Sequence, residues 1–300
     1  MPSLRALSRT RHTLVGVVSQ PDRPRGRGRT LEPTPVAVAA REVGVPLLQP
    51  EKIGAEPALA WLRERRADLG IVVAFGQFIP KSAREMPRLG MINAHASLLP
   101  RWRGAAPIEW ALDAGDSRTG ISVMRVAKEM DAGEVCLTRE LAIGADETAG
   151  ELAGRLSALA GEALAEGVDE IASGRAAFRK QDPAGVTFAP KLDRAFAALD
   201  LAQPAERVAR RIRAATPRPG VDLELRRAGK RLSVLQARVG APNGGAAPGT
   251  LRAADGKLLL ACADRWLELG EVRLAGKRAL AAAELLRGFR IAEDESAASP

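Results

Sequence analysis

Apolar runs and amphipathic segments alternate along the first 180 residues of the chain. Apolar runs of strand length occur at residues 14–19, 45–49, 70–75, 90–94 and 120–126. Segments with helical periodicity lie between several of these runs, at residues 35–43, 57–66 and 106–114. Short apolar strands separated by helices are typical of a parallel α/β sheet. The pattern therefore predicts an α/β domain in this part of the chain.

A long amphipathic helix is predicted to close this domain. Within residues 148–173, leucines recur with a period near 3.6 residues, at Leu152, Leu156, Leu159 and Leu164. The next segment, residues 180–193, contains two prolines and a glycine and has no clear period, as linkers do. We therefore expect a first domain at residues 1–185, a linker at 186–202 and a second domain at 203–300.

The second domain is predicted to be rich in strands. One helical segment, residues 205–215, precedes several short alternating segments that are separated by glycine or proline. That spacing is typical of a small β-barrel.

Composition narrows the class of protein. A chain of 300 residues with 46% hydrophobic residues can form two ordinary cores. No apolar run reaches the roughly 18 residues that a membrane span needs, so no contact with a membrane is expected. Cys136 and Cys262 lie far apart and lack the spacing of a disulfide framework or a zinc site, which favours a reducing cytoplasm. The net charge of +9, from 45 basic and 36 acidic residues, favours a polyanionic partner.

Three polar residues form the strongest candidate for a catalytic site. Asn93 and His95 are two positions apart in a predicted strand, so their side chains project to the same side. The turn that follows places them at the carboxyl end of a parallel strand, where ligands of α/β sheets bind. Asp131 lies in a glycine-containing loop after the next strand, and we expect that loop to leave the same edge of the sheet.

These residue types suit acyl transfer to a neutral amine. A carboxylate beside an imidazole favours the protonated imidazole and fixes its orientation. An amide can donate a hydrogen bond to an oxygen that gains negative charge.

The same residues carry a resemblance to a known family. The segment HASLLPRWRGAAPIEWAL, with Asn93 before it and MDAGEV after it, resembles the signature of the formyltransferases that use 10-formyltetrahydrofolate. Within that family it is most similar to the members that act on methionyl-tRNA. Further similar segments are SQPDRPRGRG, IVVAFGQFIP and VTFAPKL, so the resemblance covers nearly the whole chain.

The resemblance implies a fold and a reaction. It implies a Rossmann-like formyltransferase domain followed by a small OB-like β-barrel domain that contacts tRNA. The implied reaction transfers a formyl group from 10-formyltetrahydrofolate to the α-amino group of initiator methionyl-tRNA in translation initiation, without a metal. A monomer in the cytoplasm is expected to carry it out.

The resemblance also assigns residues to roles. Asn93, His95 and Asp131 match the catalytic trio, in which the first two hold the oxygen of the tetrahedral intermediate and Asp131 orients His95 and assists proton removal. The residues that match the surroundings of the folate pocket are Phe75, Gln77, Ile79, Ser97, Leu98, Leu99 and Pro100. For Phe75 and Ile79, a place in the hydrophobic core is an equal alternative.

Two groups of basic residues are candidates for contact with tRNA. Arg25, Arg27 and Arg29 lie in a loop rich in proline and glycine, which the resemblance directs toward the tRNA acceptor end. Arg210, Arg211 and Arg213 lie in a segment with ten basic and three acidic residues, 203–238. Such residues would contact phosphates and give affinity more than sequence reading. The alternative for both groups is a solvated surface without function.

One departure from the family pattern bears on stability. The family begins with a strand and a glycine-containing turn that have no counterpart before Leu14 here, so the catalytic domain is expected to be truncated at its amino end. Residues 14–19 and 70–75 would then have unpaired neighbouring edges. Two alternatives to the function remain open: another formyl-folate-dependent transferase that acts on an amino sugar or nucleotide, and an inactive tRNA-binding remnant.

Overall fold

The computed structural model describes residues 1–25, 30–292 and 295–299. It divides into two compact units. Unit 1 comprises Met1–Gly104, Thr119–Leu141 and Gly154–Phe188. Unit 2 comprises Ala105–Arg118, Ala142–Ala153 and Ala189–Pro300. The sequence-based boundaries at 185 and 202 stay predictions.

The longer helices coincide with the segments in which helical periodicity was predicted. In chain order the helices are α1 (Pro2–Leu7), α2 (Pro35–Glu42), α3 (Glu56–Arg65), α4 (Lys81–Arg84), α5 (Pro107–Ala114), α6 (Ala149–Ala172), α7 (Arg194–Ala197), α8 (Ala205–Ala215) and α9 (Ala282–Gly288). Proline stands in the first turn of α1, α2, α3 and α5, where its missing N–H costs no helical hydrogen bond. Among the described residues, none of these helices has the length and apolar character that crossing a membrane requires.

The strands before residue 190 are short. They are β1 (Val17–Val18), β2 (Arg23–Arg25), β3 (Thr30–Glu32), β4 (Leu47–Leu48), β5 (Gly70–Val72), β6 (Met91–His95), β7 (Arg103–Gly104), β8 (Arg118–Arg125), β9 (Val135–Ala142) and β10 (Phe188–Ala189). A four-stranded sheet in the order β5–β6–β8–β9 carries the candidate site.

This sheet is mixed, so the expectation of a wholly parallel sheet is wrong. β5 and β6 are parallel, with Val72 opposite Asn93. β6 and β8 are antiparallel, with His95 opposite Ser122. The residues between the two ends of β8 are all buried, which gives the strand the continuous apolar character of a parallel one. Burial pattern alone therefore could not reveal the direction of β8.

β1 and β5 each have an edge without a strand partner. β1 pairs with β4 in parallel, with Val17 opposite Leu47, in a separate two-stranded sheet. Within the described residues, β1 pairs with β4 alone and β5 pairs with β6 alone. The unpaired backbone groups at these two edges lie in the segments where unpaired edges were expected.

The helix α6 covers β8 through a glycine. A Cβ atom at Gly167 would lie 3.3 Å from Cγ1 of Val123, so the two elements are in close contact there. On α6, Leu156 and Leu164 are almost fully buried, as their periodicity predicted. The prediction of a long amphipathic helix is confirmed.

Unit 2 is rich in strands, as predicted. Its strands are β11 (Val221–Leu225), β12 (Lys230–Val234), β13 (Ala237–Pro242), β14 (Leu251–Ala254), β15 (Lys257–Ala261), β16 (Arg265–Leu269), β17 (Glu271–Leu274), β18 (Leu280–Ala281) and β19 (Ala297–Ala298). They form a five-stranded sheet, β18–β17–β12–β11–β19, and a four-stranded sheet, β13–β16–β15–β14. Alternate residues of these strands, such as Leu223 and Leu258, are fully buried and form the core.

Candidate active site

His95 ends β6 with its ring buried and its orientation fixed. Nε2 lies 2.8 Å from the carbonyl oxygen of Trp102. Because a carbonyl oxygen can only accept, Nε2 carries a proton and donates it. The opposite ring nitrogen, Nδ1, faces Asp131.

The turn that presents the Trp102 carbonyl is held in an unusual backbone conformation. Trp102 has a φ of +61°, in the left-handed region, which costs a residue with a Cβ atom roughly 1–2 kcal/mol. Thr187 stabilises the turn, since its Oγ1 accepts from the Trp102 N–H at 2.9 Å. The Thr187 carbonyl oxygen accepts from the Arg103 N–H, also at 2.9 Å. Thr187 therefore helps to position His95, because it holds the turn whose carbonyl group accepts from the His95 ring.

Asp131 pairs with His95 across a short gap. Its Oδ2 lies 3.6 Å from Nδ1 of His95, and the two side chains are only 12% and 7% exposed. The same Oδ2 accepts from the Gly104 N–H at 2.9 Å. At 3.6 Å the His95–Asp131 contact is longer than a hydrogen bond. The two groups therefore face each other without a hydrogen bond between them.

The Asp131 loop does not leave the sheet as expected. Since β8 is antiparallel to β6, the loop starts beside the opposite end of β6, where the Val126 N–H donates to the Met91 carbonyl at 2.8 Å. The expectation of a shared sheet edge is wrong for this reason. Asp131 still reaches His95 because its carboxylate is anchored to the Gly104 N–H.

The Asn93 side chain is half-buried and unpartnered. It shares a strand face with His95 at two positions' distance, between Val72 of β5 and Met124 of β8. Among the described residues, no hydrogen bond is made by the Asn93 amide. A half-buried amide that is not engaged by the protein can offer its hydrogen-bonding groups to a ligand.

The predicted folate residues of the 75–79 segment differ in their surroundings. Phe75 and Ile79 are half-buried, and Phe78 between them is 75% exposed. Gln77 has both ends of its amide occupied: Oε1 accepts from the Ile53 N–H at 2.8 Å and Nε2 donates to the Pro50 carbonyl at 3.1 Å. Gln77 therefore holds two loops together, and its polar atoms are engaged with backbone.

Residues 97–100 form a tight loop after β6. The buried Ser97 hydroxyl donates to the Arg101 carbonyl at 2.6 Å, which commits that hydroxyl to the loop. Ser122 donates to the Ser97 carbonyl and accepts from the Leu99 N–H, at 2.8 and 3.0 Å. Leu98 packs against Gly120, where an added Cβ atom would lie 2.6 Å from its Cδ2. The backbone of this loop and of Pro100, whose carbonyl accepts from Thr187, is thus fixed beside His95.

The first candidate tRNA group falls largely outside the described residues. Arg27 and Arg29 lie outside them, and Arg25 stands opposite Thr30 in the β2–β3 hairpin. The prediction for these three arginines is unchanged by the structure.

The three arginines of the second candidate tRNA group differ in their surroundings. Arg211 makes a two-point ion pair with Asp113, through Nε to Oδ1 at 2.6 Å and Nη2 to Oδ2 at 2.9 Å. Asp113 is 2% exposed, and the Arg211 guanidinium also stacks on the Phe196 ring. Arg211 is therefore engaged inside unit 2, which argues against a phosphate contact. Arg210 and Arg213 are half-buried, and burial lowers the pKa of the Arg213 guanidinium.

Three supporting residues were missed by the sequence analysis. Gln181 and Thr187 lie in the segment predicted to be a linker, yet both bond to residues around the site. Asp113 was missed as the partner of Arg211. The available signal was its position as a carboxylate in the otherwise apolar last turn of α5.

Comparisons with known proteins agree with this geometry. The formyl transferase family matches residues 3–168, and the formyl transferase C-terminal domain matches residues 191–290. The chain belongs to the formyltransferase family. Within the described residues, the side chains of His, Cys, Asp and Glu form no group of three or more that could hold a metal ion.

Two relatives in this family are similar over almost their whole length. A methionyl-tRNA formyltransferase of Chromohalobacter salexigens is 42% identical over 297 residues, covering 97% of this chain and 91% of the relative. One of Xanthomonas euvesicatoria is 43% identical over 292 residues, covering 97% and 94%. Among formyltransferases of known structure, an N-formyltransferase from Helicobacter canadensis, solved with folinic acid and dTDP-3-aminofucose, has a TM-score of 0.64 at 12% identity, covering 89% of this chain and 93% of that one. That likeness concerns the fold.

Proposed function

We propose that the chain transfers the formyl group of 10-formyltetrahydrofolate to the α-amino group of initiator methionyl-tRNA. The observation that carries the proposal is the unpartnered Asn93 amide on the same strand face as the buried His95–Asp131 pair. The two relatives described above, which are methionyl-tRNA formyltransferases, support the choice of substrate. This reaction supplies formylated initiator tRNA for translation.

Each member of the trio has a distinct task in this proposal. Bound formyl-folate supplies an activated one-carbon acyl group. The Asn93 amide donates to the oxygen that gains negative charge, as donors of an oxyanion hole do. In its charged form His95 would donate from Nδ1 to the same oxygen, because its Nε2 is committed to the Trp102 carbonyl.

Asp131 is the proposed acceptor of the amine proton. The amine nitrogen bonds to the formyl carbon, the bond from that carbon to the folate nitrogen breaks, and the leaving nitrogen takes up the proton. Its Oδ2 is held by the Gly104 N–H, and Oδ1 has no hydrogen-bond partner in the described part of the chain. A carboxylate with one fixed and one free oxygen can accept a proton, directly or through water, without moving. When the imidazole is charged, Asp131 also stabilises that charge.

The residues beside Asn93 fit a folate. Val72 lies opposite Asn93, so the 73–79 segment continues directly from the strand next to the site. That segment carries exposed Val73 and Phe78 with half-buried Phe75 and Ile79, which together supply apolar surface for a flat ring system. Ser97, Leu98, Leu99 and Pro100 are proposed to border the same space through their fixed backbone.

Two separate groups are proposed to contact tRNA: Arg25, Arg27 and Arg29 in unit 1, and Arg210 and Arg213 in unit 2. These residues would neutralise phosphates and add affinity that falls with salt. Arg211 is left out because its guanidinium is already paired with Asp113.

Domain organisation and cellular state complete the proposal. We propose a catalytic Rossmann-like domain at residues 1–185, a linker at 186–202 and an OB-like domain at 203–300. The abundance of antiparallel strands in unit 2, and the match of residues 191–290 to the formyl transferase C-terminal domain, support the OB-like assignment, although the strands form two sheets. The acting form is proposed to be a cytoplasmic monomer.

The test is direct formylation. The purified chain is incubated with 10-formyltetrahydrofolate and either methionyl-tRNA or a nucleotide-linked amino sugar, and the formylated product is identified. Formyl-methionyl-tRNA is the expected product. Formylation of the amino sugar alone would favour the alternative transferase, and binding of tRNA without any product would favour an inactive remnant.

A further inference from the structure

We infer that Gln181 is a positioning residue that holds Asp131 in its reactive place. The inference rests on the proposed function, because it assigns Gln181 a part in the same reaction. Gln181 lies outside the trio and does not contact its side chains. Its contacts are with the backbone of the Asp131 loop and with Arg103.

All polar groups of the Gln181 amide are used. Nε2 donates to the carbonyl oxygens of Asp131 and Gly133, each at 2.8 Å. Oε1 accepts from Nε and Nη2 of Arg103, at 3.0 and 2.7 Å. The amide of Gln181 thus joins two residues of the Asp131 loop to Arg103 of β7.

These contacts close a ring that returns to the carboxylate. Arg103 is followed by Gly104, whose N–H donates to Oδ2 of Asp131 at 2.9 Å. The backbone of Asp131 is therefore linked through Gln181 to Arg103, and its carboxylate is bound by Gly104. Arg103 and Gly104 are the two residues of β7. Outer partners of this kind orient the groups that do the chemistry.

The loop needs such support because its backbone is under strain. Asp131 has a φ of +52°, in the left-handed region that residues with a Cβ atom rarely adopt. Gly133 approaches the Arg125 carbonyl so closely that any Cβ atom would clash with it. Without the two bonds from Gln181, the loop has an easier conformation available, in which the carboxylate leaves His95.

The effect on the rate follows from the geometry. A displacement of about 1 Å at a catalytic group can cost roughly 10²-fold in rate. Since Gln181 does not contact substrate in the proposed reaction, substrate binding should change little. The signature of positioning is therefore a loss in kcat with nearly constant KM.

Gln181→Glu is the main variant. Its carboxylate can still accept from Arg103 but has no N–H for the carbonyls of Asp131 and Gly133. The matched control is Asn243→Asp, because the Asn243 amide also donates to two backbone carbonyls, those of Cys262 and Ala246, and all of these residues belong to unit 2. Gln181→Met, of similar volume, serves if the charged variant does not fold.

Steady-state formylation of methionyl-tRNA is measured for each variant, alone and combined with Asp131→Asn. We expect Gln181→Glu to lower kcat by about 10–100-fold with KM for both substrates within about threefold, and to add no further loss in the Asp131→Asn background. Asn243→Asp should retain kcat. A Gln181 variant with kcat within about twofold of the parent, or with the same fractional loss in both backgrounds, overturns the inference.

Amide hydrogen exchange separates this inference from the proposed function. If the parent chain forms no formyl-methionyl-tRNA, the proposed function fails. Exchange at residues 129–134 then still reports whether Gln181 holds the loop. Faster exchange there in Gln181→Glu, with no change in Asn243→Asp, supports positioning, and unchanged exchange overturns it.

Discussion

The ring of His95 donates through Nε2 to the carbonyl oxygen of Trp102, 2.8 Å away, while Trp102 itself has a left-handed backbone conformation. One nitrogen of the imidazole is therefore committed to the protein before any substrate binds. The other nitrogen, Nδ1, faces Asp131 at 3.6 Å and is the one that can take part in chemistry. Asp131, beside Nδ1, is the proposed acceptor of the amine proton.

Replacing Asp131 by asparagine should slow formyl transfer. The asparagine amide retains the size of the side chain but cannot accept the amine proton or stabilise a charged imidazole. We expect the rate of transfer to fall by about 10²–10⁴-fold, the usual contribution of a general base. The measurement is single-turnover formylation of methionyl-tRNA. A folded Asp131→Asn variant with nearly the parent rate would mean that Asp131 only shapes its loop.

Breaking the Asp113–Arg211 pair should destabilise the protein strongly. Asp113 is 2% exposed and accepts from both Arg207 and Arg211, so Asp113→Asn removes a buried charge and leaves two guanidinium groups without it. Removal of one partner from a buried pair typically costs about 3–5 kcal/mol. Urea unfolding gives the value.

The exposed pair Glu224–Arg231 is the control for that measurement. Both side chains are about half exposed and their atoms are 3.4 Å apart. Glu224→Gln should cost less than about 1 kcal/mol. Similar losses for Asp113→Asn and Glu224→Gln would show that the Asp113 site is not a buried anchor.

Much of the catalytic unit can be predicted from sequence, because the determining interactions are local. The alternation of apolar residues predicted β5 and β6, and the spacing of Asn93 and His95 predicted their shared face. The direction of β8 could not be predicted, since a strand buried along its length has the same pattern in either direction. Gln181 was missed because its partners lie about 50 residues away along the chain. Arg211 has the sequence appearance of a surface cation, and only the fold brings Asp113 to it.

Alkaline conditions should remove a contribution of Cys262 to stability. Burial raises the pKa of the Cys262 thiol from 9.0 to about 12. Because the folded value lies above the unfolded one, the native state binds this proton more tightly. The contribution is fully present below pH 9 and is lost as the pH rises from about 9 toward 12.

Comparison with Cys262→Ala isolates this effect from other alkaline titrations. The difference in unfolding free energy between parent and variant should shrink as the pH rises above 9. The thiol should also resist alkylation in the folded protein at neutral pH, because the thiolate is the reactive form. Rapid alkylation of native Cys262 would contradict its placement in the core.

The open edges of β1 and β5 should make the 300-residue chain prone to association. Unpaired strand edges can pair with those of another molecule. Sedimentation over a range of protein concentrations, with a thermal melt at each, measures the association. A chain that stays monomeric and melts cooperatively at every concentration would contradict this prediction.

Single-turnover formylation by Asn93→Ala tests the catalytic account most directly. The Asn93 amide is the unpartnered donor of the site, and removal of one oxyanion donor typically costs about 10²–10³-fold in rate. We expect a loss of that size, and a comparable one for His95→Ala, with an unchanged circular dichroism spectrum and melting temperature, while Asn243→Ala retains the rate. A folded Asn93→Ala variant that formylates methionyl-tRNA at nearly the parent rate would contradict the assignment of this site.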